Sequence, residues 1–128
     1  MFKAEDVCLI VPARAGSKGI PHKNIKVING KSLLERTLES ATSLVNSKDI
    51  CLSTDSDDYY FHVKDLYNPV YLKRSNNLSE DKSLAINVWK NALDFLKNKH
   101  KLYSYSIYLE PTSPIRNTPW IREIFEKF

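Results

Sequence analysis

The chain has 128 residues, of which 42% are hydrophobic and 27% are charged, and its formal net charge is +4 at pH 7. This length allows one domain with its own core, and the composition is that of an ordinary globular protein. The positive charge is modest and scattered, no apolar run could span a membrane, and no secretory pattern opens the chain. We therefore expect a cytoplasmic protein with no nucleic-acid or membrane partner.

Strand and helix patterns alternate in the first part of the chain. The apolar residues 7–11 predict a buried strand, and residues 49–53 predict a second one. Ser32 and Glu35 are spaced as in a capping box, which predicts a helix between these strands. The side chains that recur at helical spacing after this box are Leu34, Leu38, Ala41 and Val45.

A second helix and a third strand follow. Residues 57–67 have a helical pattern, and Pro69 ends it before a short strand at residues 70–72. The apolar residues that predict the buried face of this helix are Tyr59, Val63, Leu66 and Tyr67.

The strongest helical pattern covers residues 82–100, and residues 105–110 predict a fourth strand after it. Thr118 and Pro119 have the residue types of an N-cap and a first helical position, so they predict a last helix. The predicted buried face of the long helix consists of Ala85, Val88, Trp89, Ala92, Leu93 and Leu96.

Regular alternation of strands and helices predicts an α/β fold with a mostly parallel sheet and helices on both faces. Right-handed crossovers then bring the loops that follow the strands to one edge of the sheet. The residues with unusual chemistry lie in four such loops, at positions 12–24, 54–55, 73–74 and 110–116. We therefore predict one functional edge built from four stretches of chain.

The cysteines and histidines do not predict a metal or nucleophile site. Cys8 and Cys51 lie inside apolar runs without metal-ligand spacing, and we expect buried thiols in a reducing compartment. His22, His62 and His100 are far apart in the sequence and also lack ligand spacing, so we expect none of them to be catalytic.

The first of the four loops, residues 12–24, combines three cations with two glycines directly after a strand, and we call it the signature loop. Glycine lets backbone N–H groups approach an anion closely, and Arg14, Lys18 and Lys23 supply positive charge. The loop lacks both the ending of a Walker A loop and the pattern of a dinucleotide turn. This chemistry predicts a polyphosphate ligand.

The signature loop reads Pro-Ala-Arg-Ala-Gly-Ser-Lys-Gly-Ile-Pro-His-Lys-Asn. It resembles the opening motif of the CMP-N-acylneuraminate (CMP-sialic acid) cytidylyltransferase family, Pro-Ala-Arg-x-x-Ser-Lys-Gly-x-Pro-x-Lys-Asn. Residues 109–116 resemble the same family's Leu-Gln-Pro-Thr-Ser-Pro-Leu-Arg segment, with Glu110 in place of Gln. Residues 53–55 resemble its Ser-Thr-Asp segment, for which we expect a supporting role at the edge of the sheet.

The resemblance implies a Rossmann-like nucleotide-diphospho-sugar transferase fold. Because it covers the N-terminal half of the family, residues 1–128 are expected to be a single nucleotide-binding domain, the N-terminal part of a longer cytidylyltransferase domain with an incomplete sheet. The implied reaction joins CTP to a nine-carbon, sialic-type keto-sugar acid and releases pyrophosphate.

The resemblance also implies roles for individual residues. Arg14, Lys18 and Lys23 would act in catalysis by stabilising charge on the triphosphate and on the leaving pyrophosphate. Glu110 accepts a hydrogen bond from the cytosine amino group but repels the base carbonyl, so the identity of the base stays open. The residues implied in CTP binding are Arg14, Ser17, Lys18, Lys23, Asn24, Arg74, Ser83, Glu110, Pro111, Thr112 and Ser113.

Mg²⁺ is the cofactor that the resemblance implies, but the family's metal-binding aspartates belong to its later part, so no metal ligand is expected in this chain. A homodimer is implied for the full-length form. Two alternatives stay open: a truncated, non-catalytic nucleotide-binding protein, and a nucleotidyltransferase for another base or for another sugar acid such as Kdo.

Overall fold

The computed structural model describes residues 4–15, 22–75, 78 and 84–111. The helices are α1 Leu33–Thr42, α2 Asp57–Tyr67 and α3 Ala85–Lys99, and the strands are β1 Val7–Ala13, β2 Ile50–Thr54, β3 Val70–Lys73 and β4 Tyr105–Tyr108. The strands form one parallel sheet in the order β3-β2-β1-β4. The predicted parallel α/β architecture is therefore confirmed.

The central strand β1 is buried on both faces of the sheet, as an interior parallel strand requires. Because side chains alternate along a strand, Val7 and Leu9 pack on one face, whereas Cys8 and Ile10 pack on the other. The helical side chains that cover the first face are Leu34, Leu38, Tyr59 and Val63 of α1 and α2, and those that cover the second are Ala92 and Leu96 of α3. Helices on both faces are thus confirmed.

The capping box at the start of α1 is present in both its halves. The Ser32 hydroxyl accepts a hydrogen bond from the backbone N–H of Glu35 at 3.1 Å, and the Glu35 carboxylate accepts one from the N–H of Ser32 at 3.1 Å. Two N–H groups that the first turn would leave unpaired are therefore satisfied by side chains. This local arrangement makes α1 begin where the sequence predicts.

Strand ends differ from the predicted ones by one or two residues. β1 continues to Ala13 because its pairing with β2 extends to the partner Thr54. β2 begins at Ile50, since Ser47–Asp49 forms a short 3-10 turn before it, and β4 ends at Tyr108. The longer β1 brings the signature loop directly onto the edge of the sheet.

Two residues that were predicted on buried helix faces are exposed. Leu66, in the last turn of α2, has 74% of its surface exposed, because nothing in the described part of the chain packs over that side of the turn. Ala85 is exposed because it is the first residue of α3, before the helix reaches the sheet. Helical periodicity assigns a direction to a side chain but does not reveal what lies there.

Some predicted elements lie outside the described residues, namely the start of the long helix at residues 82–83 and the last helix from Thr118. Of the helices described, none is long and apolar enough to cross a membrane. Cys8 and Cys51 are free and buried, as predicted. Burial raises the pKa of both thiols to about 12, so they are protonated and unreactive at neutral pH.

Candidate functional site

The residues that follow the strands meet at one edge of the sheet, as the topology predicts. The C-terminal ends of β1, β2 and β3 are in register, with Ala13 beside Thr54 and Thr54 beside Lys73. Arg74, directly after β3, donates its N–H to the carbonyl of Thr54 at 2.8 Å. Leu109, directly after β4, donates its N–H to the carbonyl of Ile10 at 2.8 Å. Four loops distant in sequence therefore leave the sheet side by side.

The signature loop returns to its own starting point. The side-chain amide of Asn24 donates from Nδ2 to the carbonyl of Arg14 at 3.3 Å, which joins positions ten residues apart. Arg14 provides the acceptor of this bond, and Lys23 directly precedes its donor Asn24. Arg14 and Lys23 are both half-buried. Two of the three predicted catalytic cations, Arg14 and Lys23, therefore lie where the two ends of the signature loop meet.

Asn24 has one buried acceptor that no described residue satisfies. The residue is 5% exposed, and Oδ1 has no hydrogen-bond partner among the described residues. Its backbone carbonyl accepts the N–H of Leu34 at 2.9 Å, so the start of α1 fixes its place. Because a buried polar atom without a partner is costly, this oxygen is suited to a donor brought by a ligand.

Arg74 is almost fully buried, with 6% exposed, and it anchors the ends of two strands. Its guanidinium donates to the hydroxyl of Ser53 at 3.2 Å, to the carbonyl of Ser53 at 2.9 Å and to the carbonyl of Leu78 at 3.3 Å. Burial lowers the pKa of Arg74, and its neighbours Tyr108 and Asp55 oppose that shift. These contacts give Arg74 a structural task, and its predicted contact with the nucleotide stays a prediction.

The residues after β4 combine an exposed carboxylate with a buried proline. Glu110 is exposed, whereas Pro111 is buried. The Tyr108 ring stacks on the ring of Trp89 with centroids 5.2 Å apart, and Trp89 Nε1–H donates to the hydroxyl of Ser106 at 2.9 Å. Burial raises the pKa of Tyr108, Arg74 opposes this, and Glu110 adds to it. Strand β4 is thus held firmly against α3 where it delivers Glu110 to the edge.

The predicted site residues Ser17, Lys18, Ser83, Thr112 and Ser113 lie outside the described residues. For the other six, Arg14, Lys23, Asn24, Arg74, Glu110 and Pro111, the structure shows their place near the C-terminal ends of the strands. Their contact with a nucleotide stays a prediction.

No group of three histidine, cysteine, aspartate or glutamate side chains within the described ranges could hold a metal ion. Asp55, at the edge of the sheet, accepts the backbone N–H of Ala15 at 2.9 Å. Asp57 accepts from the hydroxyl of Tyr71 and from Lys73 Nζ, and these two bonds lower its pKa, the Tyr71 bond most. The described residues do not form a Mg²⁺ site, and we assign no step to that ion.

Ser32, Glu35 and His62 form a cluster that the spacing of the sequence did not predict. His62 Nε2 lies 3.0 Å from the Ser32 hydroxyl and 3.2 Å from Glu35 Oε1. A hydrolytic triad uses the two different ring nitrogens of its histidine, whereas here both contacts are made by one. Ser32 is also fully buried and caps α1, so this cluster joins α1 to α2 and is not a nucleophile site.

The comparisons with known proteins agree with the predicted resemblance to cytidylyltransferases. A family model described as Cytidylyltransferase matches residues 8–110. Pseudaminic acid cytidylyltransferase of Campylobacter jejuni subsp. jejuni serotype O:2 is 31% identical over 119 residues, covering 93% of this chain and 51% of that protein. N-acylneuraminate cytidylyltransferase of Escherichia coli O18:K1:H7 is 32% identical over 117 residues, covering 91% of this chain and 27% of that protein. The chain thus spans about half the length of the first relative and about a quarter of the second.

Solved structures show the same fold. A CMP:2-keto-3-deoxy-manno-octonic acid synthetase complexed with CTP has a TM-score of 0.67 at 19% identity, over 95% of this chain and 46% of that one. A cytidylyltransferase from Leptospira borgpetersenii serovar Hardjo-bovis has a TM-score of 0.68 at 16% identity, over 96% and 48%. The fold is therefore the Rossmann-like nucleotidyltransferase fold. Since the family model covers residues 8–110, most of the chain, this protein belongs to the cytidylyltransferase family.

Proposed function

We propose that this chain is the CTP-binding portion of an enzyme that activates a nine-carbon, sialic-type keto-sugar acid as its CMP derivative. One observation carries the proposal. The bond between Asn24 and Arg14 brings the two ends of the signature loop together, which supports the assignment of Arg14 and Lys23 to one site at the edge of the sheet. Two cations beside a strand end suit the triphosphate of a nucleotide.

In the proposed reaction the anomeric hydroxyl of the sugar acid attacks the α-phosphorus of CTP. The new bond joins that oxygen to the α-phosphorus, the bond from the α-phosphorus to the bridging oxygen breaks, and its electron pair leaves with pyrophosphate. The hydroxyl gives up its proton to solvent. Arg14, Lys18 and Lys23 stabilise the charge that builds up on the phosphates, which is the main contribution a protein makes to such a transfer.

Asn24 and Glu110 are the proposed contacts to the nucleoside. The Oδ1 of Asn24 is buried and has no partner in the part of the chain that the structure describes, so it suits a hydroxyl donor such as that of a ribose. Glu110 accepts from the cytosine amino group and repels the base carbonyl, so its preference for cytosine over uracil depends on the amino group. Arg74, Ser83, Pro111, Thr112 and Ser113 complete the proposed nucleotide site.

The choice of a sialic-type acid follows from the amino-acid sequence of the signature loop, and it is supported by relatives named for N-acylneuraminate and pseudaminic acid. Mg²⁺ neutralises phosphate charge when it is bound, and we predict that the reaction requires it. A homodimeric full-length form and a cytoplasmic location complete the proposal.

Titration calorimetry with CTP, ATP and CMP tests the nucleotide assignment. We expect CTP to bind more tightly than ATP, because of the base, and more tightly than CMP, because of the two further phosphates. Equal affinity for all three would refute both the base and the triphosphate assignment.

Product formation tests the acceptor. Neuraminic, legionaminic and pseudaminic acids are offered in turn with CTP, beside Kdo, and CMP-sugar and pyrophosphate are measured. In the longer enzyme of which this chain is the proposed CTP-binding portion, we expect product from a nine-carbon acid, and a preference for Kdo would refute the acceptor assignment. CTP binding without product from any acid would favour the non-catalytic alternative.

A further inference from the structure

Two side chains near the start of α2 hold the signature loop on either side of positions 16–21. Asp55 Oδ1 accepts a hydrogen bond from the backbone N–H of Ala15 at 2.9 Å. The hydroxyl of Tyr59 lies 3.3 Å from Nδ1 of His22, and the two rings meet edge to face with centroids 6.0 Å apart. One contact therefore holds the outgoing side of the loop, and the other holds its returning side.

Both contacts come from a rigid part of the fold. Asp55 directly follows β2, and Tyr59 is 1% exposed and packs in the core with α1 and β1. Ser56 caps α2 by accepting the N–H of Tyr59 at 3.3 Å, and Thr54 Oγ1 accepts the N–H of Ser56 at 3.2 Å. Because this segment is ordered by its own bonds, it can hold the loop in place before any ligand binds.

The points that are held lie next to the cations of the loop. Ala15 directly follows Arg14, and His22 directly precedes Lys23. His22 has a φ of +51°, a left-handed conformation that residues with a β-carbon adopt uncommonly, and the contact with Tyr59 holds its side chain in that conformation. Catalytic groups that move by about 1 Å can lose about a hundredfold in rate, so this placement matters for phosphate chemistry.

We propose that Asp55 and Tyr59 are positioning residues of the nucleotide site. Each acts through the loop residue that it holds, and together they set the separation of Arg14 and Lys23 for the triphosphate of CTP. The proposal rests on the proposed function, because it takes a nucleoside triphosphate as the ligand.

A carboxylate at this edge is also suited to bind a metal ion on the triphosphate. The variant Asp55→Asn distinguishes this metal-ligand role from the positioning role. The amide keeps an oxygen that accepts the N–H of Ala15, but it carries no charge. A positioning role predicts CTP binding at least as tight as in the wild type, since one negative charge leaves the anion site. A metal-ligand role predicts that Asp55→Asn weakens Mg²⁺-dependent CTP binding as much as Asp55→Ala does.

The test compares CTP with cytidine by calorimetry in the 128-residue chain, with and without Mg²⁺. We expect Tyr59→Phe and Asp55→Ala to weaken CTP binding about three- to tenfold and to leave cytidine binding unchanged. The reason is that Ala15 and His22 flank the phosphate-binding cations, whereas Asn24, the proposed nucleoside contact, is held by the backbone N–H of Leu34. The matched controls are Tyr60→Phe, whose ring stacks on Tyr71 with centroids 4.4 Å apart, and Asp58→Ala, which removes an exposed carboxylate from the same turn. Both controls should bind CTP within about twofold of the wild type.

A double-mutant cycle distinguishes positioning from a general loss of structure. If Tyr59 acts by placing Lys23, Tyr59→Phe should have little further effect on CTP binding once Lys23→Ala has removed the cation. A general loss of structure would weaken binding by the same factor in both backgrounds. Hydrogen exchange at the Ala15 amide, measured without nucleotide, should be faster in Asp55→Ala and unchanged in Asp55→Asn.

The outcomes separate this inference from the proposed function. A wild-type chain that binds CTP no more tightly than cytidine would refute the triphosphate site, and the positioning role would fall with it. A wild type that prefers CTP, with Tyr59→Phe and Asp55→Ala equal to their controls, would refute the positioning role alone. The positioning role would also be refuted if Asp55→Asn weakened CTP binding as much as Asp55→Ala, or if the effects in the double-mutant cycle were additive.

Discussion

Arg14→Ala is expected to weaken CTP binding strongly while leaving the fold intact. The backbone on both sides of the substituted side chain keeps its bonds, since the Arg14 carbonyl accepts from Asn24 and the Ala15 N–H is held by Asp55. Arg14 also lowers the pKa of Arg74, so its removal relieves a repulsion between like charges. Because these backbone bonds are kept, we expect the chain to stay folded.

The magnitude follows from the type of contact. A hydrogen bond to a charged group contributes about 1.5–3 kcal/mol, which corresponds to about a 10- to 150-fold change in affinity. Because Arg14 is half-buried at the edge of the sheet, solvent screens its charge less than that of a fully exposed cation. CTP titration by calorimetry measures the affinity, and urea unfolding measures stability.

Lys97→Ala is the matched control for this experiment. Lys97 is an exposed cation in the last turn of α3, so its removal changes the net charge equally without touching the edge of the sheet. We expect its effect on CTP affinity to stay within about twofold. Equal losses in Arg14→Ala and Lys97→Ala would show that the loss reflects overall charge, and the reasoning about the signature loop would be refuted.

Three further predictions concern the base, the fold and the thiols. Glu110→Gln should raise the affinity for CTP, because the amide still accepts from the cytosine amino group and can also donate to the base carbonyl; an unchanged CTP affinity in calorimetric titrations would mean that Glu110 does not face the base. Ser32→Ala should lower the unfolding free energy by about 1 kcal/mol through loss of the α1 cap, with CTP affinity per folded molecule unchanged; urea denaturation at an unaltered midpoint would contradict this. Since burial raises the pKa of Cys8 and Cys51 to about 12, a thiol reagent at about pH 8 should modify the chain only as fast as it unfolds, and rapid modification under native conditions would show that the thiols are accessible.

The local elements of the fold were predictable because their causes lie within one turn or one strand. The apolar run from residue 7 predicts β1, and the pair Ser32 and Glu35 predicts the start of α1, which the structure confirms. Helix α2 has the predicted bounds, since Ser56 begins it and Pro69 follows it. In these cases the sequence neighbours themselves make the bonds that decide the structure.

Alternation of strands and helices was also sufficient to predict that the loops with unusual chemistry meet at one edge. The reason is topological, because parallel strands with right-handed crossovers leave few arrangements. The signature loop and the segment after β4 could therefore be placed in one candidate site without any knowledge of contacts.

Contacts between distant residues were decided only by the tertiary structure. No spacing in the sequence indicates that His22 meets Tyr59, that Ala15 meets Asp55, or that His62 joins the cap of α1. Burial was likewise settled by packing, since Leu66 has the periodicity of a core residue and is exposed. The sequence alone determined which elements form and which chemistry each loop has, because those causes are local. The packing of α2 against β1 and α1 determined which side chains hold the signature loop, because that depends on groups far apart in the chain.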